Sequence, residues 1–143
     1  MTNVQYVVIE DIIASLNTLV PTYLKYVGEF PDDMSKVGQN FPAAIVQDGN
    51  RSYEIVAGNV YHCFMEIHVD VYTEIRTGIT KMEKMLDTEA QINNVILADL
   101  TLGATVKNTV LVSSSIESFS PTTGQQIDMR RITYMVEIHD TRS

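Results

Sequence analysis

A chain of 143 residues fits one domain, spanning 1–143, and folding could bury roughly two thirds of its unfolded surface, enough for one core. Its 18 acidic against 10 basic residues give a formal net charge of -8, and the basic residues are scattered, with only Arg130 and Arg131 adjoining, which argues against duplex DNA as a tight ligand through phosphate contacts. Cys63 is the only cysteine, so no internal disulfide forms, as expected in a reducing cytoplasm.

The first residues carry no Lys or Arg, and Glu10 and Asp11 interrupt their apolar character, which argues against a signal peptide. No run approaches membrane-spanning length. Thr2 with Gln5 forms a capping box, so a helix is expected to start here. Val8, Ile9, Ile12, Ile13, Leu16, Leu19 and Val20 recur at three- and four-residue spacings and give it one apolar stripe. Pro21 kinks or ends that helix, and Pro21 to Val27 is expected to run on as a short second helix terminated by Gly28.

Gly28 to Asn40 has no period and reads as an exposed loop. A strand from Phe41 to Gln47, the turn signal Asp48-Gly49-Asn50 and a return strand from Ser52 to Val56 predict a hairpin. Ala57-Gly58-Asn59 then turns the chain into a long alternating strand, Val60 to Thr73. There Met65, Ile67, Val69 and Val71 point one way, and Glu66, His68, Asp70 and Tyr72 the other.

Thr80 with Glu83 and Thr88 with Gln91 supply two more capping boxes within one helical segment, Thr80 to Leu100. Glu89 and Asn93 fall in the middle of its apolar side. Either the helix breaks near Asp87-Thr88, or a neighbouring subunit or water satisfies those two polar groups. Thr109 to Phe119 is a third strand, and Ser120 to Gly124 reverses it into the last, Arg131 to His139. There Ile132, Tyr134, Val136 and Ile138 oppose Arg131, Thr133, Met135, Glu137 and His139. Helix, hairpin, long strand, helix, hairpin describes an α+β two-layer domain, with a mostly antiparallel or mixed sheet of four to five strands packed against two main helices.

The free face of that sheet is where chemistry would have to reside. Glu66, His68 and Asp70 are three potential metal ligands two residues apart, and Glu137 and His139 would join them if the last strand pairs alongside. Spacing alone does not supply tetrahedral closure, and polar residues at every second position are what any solvated or subunit-facing strand shows. His62 adjoins Cys63, so the two side chains point to opposite faces and make no nucleophile and base pair. No serine elbow, phosphate loop or dinucleotide turn is present. No enzyme, cofactor or metal centre is therefore expected. Tyr72 reads equally as an interface anchor or as a partly covered surface residue.

The order of elements resembles the tail terminator, or tail completion, proteins of long-tailed bacteriophages. The matching segments are the leading helix ending near Pro21, Phe41-Pro42-Ala43-Ala44-Ile45-Val46, the strand His62 to Tyr72, the helix before Leu100 and the closing Arg130 to Ile138. The resemblance covers nearly the whole chain as a pattern of elements, without a signature motif. It implies a virion protein, assembled in the host cytoplasm, that forms a homo-oligomeric ring, commonly a hexamer, on the head-proximal end of the tail tube. Such a ring stops tube growth and joins the tail to a head-connector or neck protein, while DNA passes through its lumen without specific binding. A head-to-tail joining protein, another neck or tube protein, or a cytoplasmic adaptor domain are the alternatives. Candidate subunit contacts are Glu66, His68, Asp70, Tyr72, Arg131 and Glu137, and charge reversal at Glu137 or Arg131 is expected to disturb assembly while leaving the fold intact.

Overall fold

The computed structural model describes residues 4–33, 41–58, 60–75, 82–98, 108–119 and 126–141. Within them the chain forms α1 (Val4–Asn17), β1 (Tyr26–Glu29), β2 (Ala43–Ala57), β3 (Val60–Ile75), α2 (Met82–Leu97), β4 (Asn108–Phe119) and β5 (Gln126–Thr141). The five strands make one sheet in the order β1-β2-β3-β5-β4, with β1 parallel to β2 and all other neighbours antiparallel. This is an α+β fold, a mixed sheet with its helices on one face. Among the described residues no helix is long and apolar enough to cross a membrane.

The core follows from two periods that meet. Val8, Ile12 and Leu16 of α1 and Ile92 and Ile96 of α2 bury their stripe against every second residue of the central strands. Those residues are Ala44 and Val46 of β2, Cys63 to Val71 in alternation on β3, and Ile132 to Ile138 in alternation on β5. Each fully buried Ile, Leu or Val contributes roughly 1.5–3 kcal/mol of apolar transfer.

Three expectations require correction, each for a physical reason. No second helix follows Pro21. Residues 18–23 form turns, with the Tyr23 and Leu24 amides donating to the Leu19 carbonyl, and the chain then enters β1. There Tyr26 to Glu29 pair with Ala43 to Val46, and Val27 drops into the core. Gly28 ends no helix. A side-chain carbon there would lie 2.5 Å from the Asp33 Cβ, and the bare backbone lets the Asp33 carboxylate accept the Glu29 amide at 2.9 Å.

Phe41 to Val56 is also not a hairpin, because β2 runs unbroken from Ala43 to Ala57 beside β3. Asp48-Gly49-Asn50 instead marks a shift of register between Asp48 and Arg51, the mark of a bulge, and an ion pair between Arg51 and Asp48 spans it. Gly49 is glycine because a Cβ there would collide with the His68 Nε2 and press on the Glu66 Cβ at 3.1 Å. The reversal into β3 occurs at Gly58, whose φ of 55° lies in the left-handed region that glycine adopts without strain.

Finally, α2 does not break at Thr88, which lies buried inside the helix. The two polar residues on its inner side find partners within the chain. The Tyr134 hydroxyl donates to the Asn93 side-chain oxygen, and Glu89 lies 3.8 Å from Arg130 of β5. Of the capping boxes, Thr2 and Thr80 lie outside the described residues. The Gln5 amide donates to the Tyr53 hydroxyl at 3.0 Å and the Cys63 Sγ at 3.7 Å.

Two outcomes follow from this packing. Gly49→Ala is expected to cost about 1–3 kcal/mol in denaturant unfolding, and His68→Ala in the same chain to recover most of it, since the clash is with that ring. Burial, and next the charge of Glu89, push the Tyr134 hydroxyl well above its ordinary 10.0. The folded chain thus holds this proton more tightly than the unfolded one, so its contribution is intact below pH 10 and is lost as pH rises beyond it. Tyr134→Phe should cost about 1–2 kcal/mol at pH 7, by leaving the Asn93 oxygen unpaired. Alkaline melts should show the gap to wild type narrowing above pH 10, and a constant gap would contradict the assignment.

Candidate functional site

The face of the sheet turned away from the helices carries the residues singled out from the sequence, and the β3–β5 register sets which of them meet. Phe64 lies opposite Glu137, Glu66 opposite Met135, His68 opposite Thr133, Asp70 opposite Arg131 and Tyr72 opposite Met129. Directly opposed residues on antiparallel strands share a face, so the alternation of both strands converges there.

The face is not uniformly free. At one end Tyr72 and Met129 join Ala43 and Ile45 in a second, smaller apolar cluster, with Tyr26 and Phe41 packed against it. Tyr72 is thus 7% exposed, a covered residue of the protein itself. At the other end His62 Nδ1 lies 3.4 Å from the Glu137 carboxylate, and its ring meets Phe64 edge-on. Between the two, His68 Nδ1 contacts the Thr133 hydroxyl at 3.0 Å and its Nε2 lies 3.9 Å from Glu66.

Where the face passes from half-exposed to buried sits Asp70, whose side chain is 1% exposed. Arg131 donates to both of its oxygens, Nε at 2.8 Å and an Nη at 3.1 Å, and the Gln47 amide donates to Oδ2 at 2.7 Å. One carboxylate therefore ties β2, β3 and β5 together. This two-pronged guanidinium contact is the strong form of the charge-assisted hydrogen bond.

The arrangement bears directly on the chemistry weighed from the sequence. Glu66, His68 and Asp70 lie on one face but do not converge, because Asp70 is taken up by Arg131 and Gln47. Among the described residues no group of three His, Cys, Asp or Glu side chains is placed to hold a metal ion. Cys63 is buried on the helix side of β3, and His62 points to the other face, so the two form no thiolate pair. Glu66, His68, Arg131 and Glu137 are partly exposed and Asp70 and Tyr72 are buried, so only the first four can touch another molecule directly. The side chain of His139 is not among those described.

Sequence reasoning passed over Gln47 as part of this face, and it placed Thr133 and His62 there by alternation without naming them as contacts of His68 and Glu137. Ala43, Ile45 and Gln47 already alternate in phase with it, but placing a turn at Asp48 ended the strand just where Gln47 reaches Asp70. A separate cleft of about 320 Å³ opens beside α1, β1 and the β2 bulge, lined among others by Tyr6, Glu29, Phe30, Asp48 and Arg51. Its charged groups are largely engaged within the chain, Tyr6 donating to Glu29 and Arg51 pairing with Asp48.

No protein-family profile matches the chain, and no curated protein is similar to it. Among solved structures it is similar to the core region of PilO from the type IV pilus system of Pseudomonas aeruginosa. The identity is 9%, the likeness covers 80% of this chain and 93% of that one, and the TM-score is 0.27.

The Asp70 contacts predict an asymmetry. Arg131→Ala strands a buried carboxylate and should cost about 3 kcal/mol, whereas Asp70→Asn leaves a neutral amide beside a guanidinium that still reaches water and should cost about 1 kcal/mol. Urea unfolding of the two variants checks this, and equal losses would mean that the carboxylate is not the strained member of the pair.

Proposed function

We propose that the chain is a structural subunit of a phage tail, the terminator that closes the head-proximal end of the tail tube as a ring and presents a surface to the head connector. It carries no reaction of its own in this reading. The observation that supports it is a sheet with one face given to helices and the other to partly exposed charged side chains, without a reactive constellation among them. A face of that kind suits polar contact with further protein chains. Ring closure needs heterologous contacts, in which one patch of a subunit meets a different patch of the next. Termination then follows from geometry, because the side of the ring that meets the tube matches it and the opposite side accepts no further ring.

Arg131→Glu is not the clean probe of this face that the sequence suggested. It would set a second carboxylate against buried Asp70 and damage the fold itself. Glu137 is the better position, since its side chain is 29% exposed and lies at the open end of the face. Mixed with purified tube protein, the wild type should give capped tubes of limited length. Glu137→Lys should melt within about 0.5 kcal/mol of wild type while the tubes continue to grow. Tubes whose length ignores the wild-type protein would sink the terminator reading, and normal capping by Glu137→Lys would move the contact off this face.

A further inference from the structure

The two edges of the sheet are unlike. On one side β1 offers only four residues and is followed, after Phe30, by Pro31, Asp32 and Asp33, residues that discourage further strand pairing. On the other, β4 is twelve residues long, and among the described residues no strand lies outside it. Every second N–H and C=O of an edge strand points away from the sheet and seeks a partner. Val110, Leu111 and Val112 in the middle of β4 are 49%, 40% and 52% exposed, three consecutive apolar residues in contact with water. From Asn108 to Ser115 the strand has no charged residue and no proline, so the shift of register between Leu111 and Ser113 is the one guard against edge pairing within it.

We propose that two copies of this chain pair through β4, antiparallel about a two-fold axis at Leu111, and so continue the sheet from one copy into the other. Charge selects a second copy as the occupant. With a net charge of -8, two copies repel each other over most of their surfaces, and Asn108 to Ser115 is an exposed stretch that can meet itself without opposing like charges. Antiparallel pairing about Leu111 sets Val110 against the partner's Val112 and Leu111 against itself, so apolar residues meet apolar ones, and the residues flanking them are uncharged. The shift of register between Leu111 and Ser113 bends the strand there and confines the pairing to the residues about Leu111. Such a contact closes on itself and is additional to any ring contact. It does not rest on the terminator reading.

The test is mass in solution across a concentration series, using the full chain, with Val112→Lys and Val112→Glu as variants. Val112 is more than half exposed, so melting should stay as in wild type. In the two-fold pair the introduced charges lie on one face, diagonal to each other across the axis, within reach of long side chains. Wild type should show twice the 16.0 kDa chain mass, and each variant alone should weaken the pair about tenfold or more. An equal mixture of the two variants should restore it, because Lys then meets Glu. Leu111→Lys and Leu111→Glu repeat the test with the charges directly opposed. A wild type that stays monomeric at all concentrations, an assembly of any size indifferent to these charges, or a mixture that fails to restore pairing would each overturn the proposal.

Discussion

The ion pair between Asp70 and Arg131, with Gln47 as its third member, is the constraint around which the sheet is arranged. A carboxylate 1% exposed is costly to remove from water, and it is tolerable here because three donors replace its hydration. Those donors come from strands that are distant in sequence, so the cost is offset only when β2, β3 and β5 lie in one register. A slip by one residue would turn Arg131 to the helix side and bring Ile132 out, exposing the apolar set of β5 together with the orphaned charge. The pair thus specifies an alignment more than it adds stability, and the half-exposed guanidinium keeps its net contribution small.

A second polar line runs on the opposite side, between α2 and β5. Tyr134 with Asn93 and Glu89 with Arg130 are spaced one helical turn apart along α2, and Asp128 adds a carboxylate 3.5 Å from the Arg130 Nε. An all-apolar helix stripe could slide or rotate over the sheet with little penalty, whereas these pairs fix one seating. Such a line costs desolvation and returns orientation of the helix.

How legible this was in the sequence depended on whether a signal was local. The alternation of β3 and β5 and the stripe of α1 are periodic within their own segments, so their elements and inward residues were readable directly. Gly28 and Gly49 misled because a glycine set by close approach of a distant side chain looks in sequence like a glycine set by a turn. Asp33 and His68 are the reasons for those two residues, and neither is visible from the local string. β1 has four residues, too few for a period, and is a strand only because β2 supplies its partner. Thr88 and Gln91 matched a cap, but the helix already ran through them, held by contacts of Glu89 and Asn93 to a strand some forty residues later. The sequence put Glu66, His68, Asp70, Tyr72, Arg131 and Glu137 on one face, as the register of β3 and β5 does, but it had no means of telling partly exposed Glu137 from buried Tyr72, since burial there comes from the cluster around Ala43 and Ile45.

The acidic balance of the chain limits where copies of it can touch. Unpaired carboxylates across a contact would add repulsion at short range, so contact favours surface on which charge is either neutralised within the chain or missing. Two such surfaces stand out, and they differ in kind. On the outer face Asp70 is paired with Arg131 and the Glu137 carboxylate lies beside the His62 ring, so a partner meets polar groups there and gains specificity of orientation more than affinity. Along β4 from Asn108 to Ser115 charge is missing, and what a partner meets is a row of backbone groups and three exposed apolar side chains. The first surface is suited to reading a differently shaped neighbour, the second to joining a strand of its own kind. In the proposed tail subunit, the two contacts would lie on separate parts of one sheet, so that neither need be given up for the other.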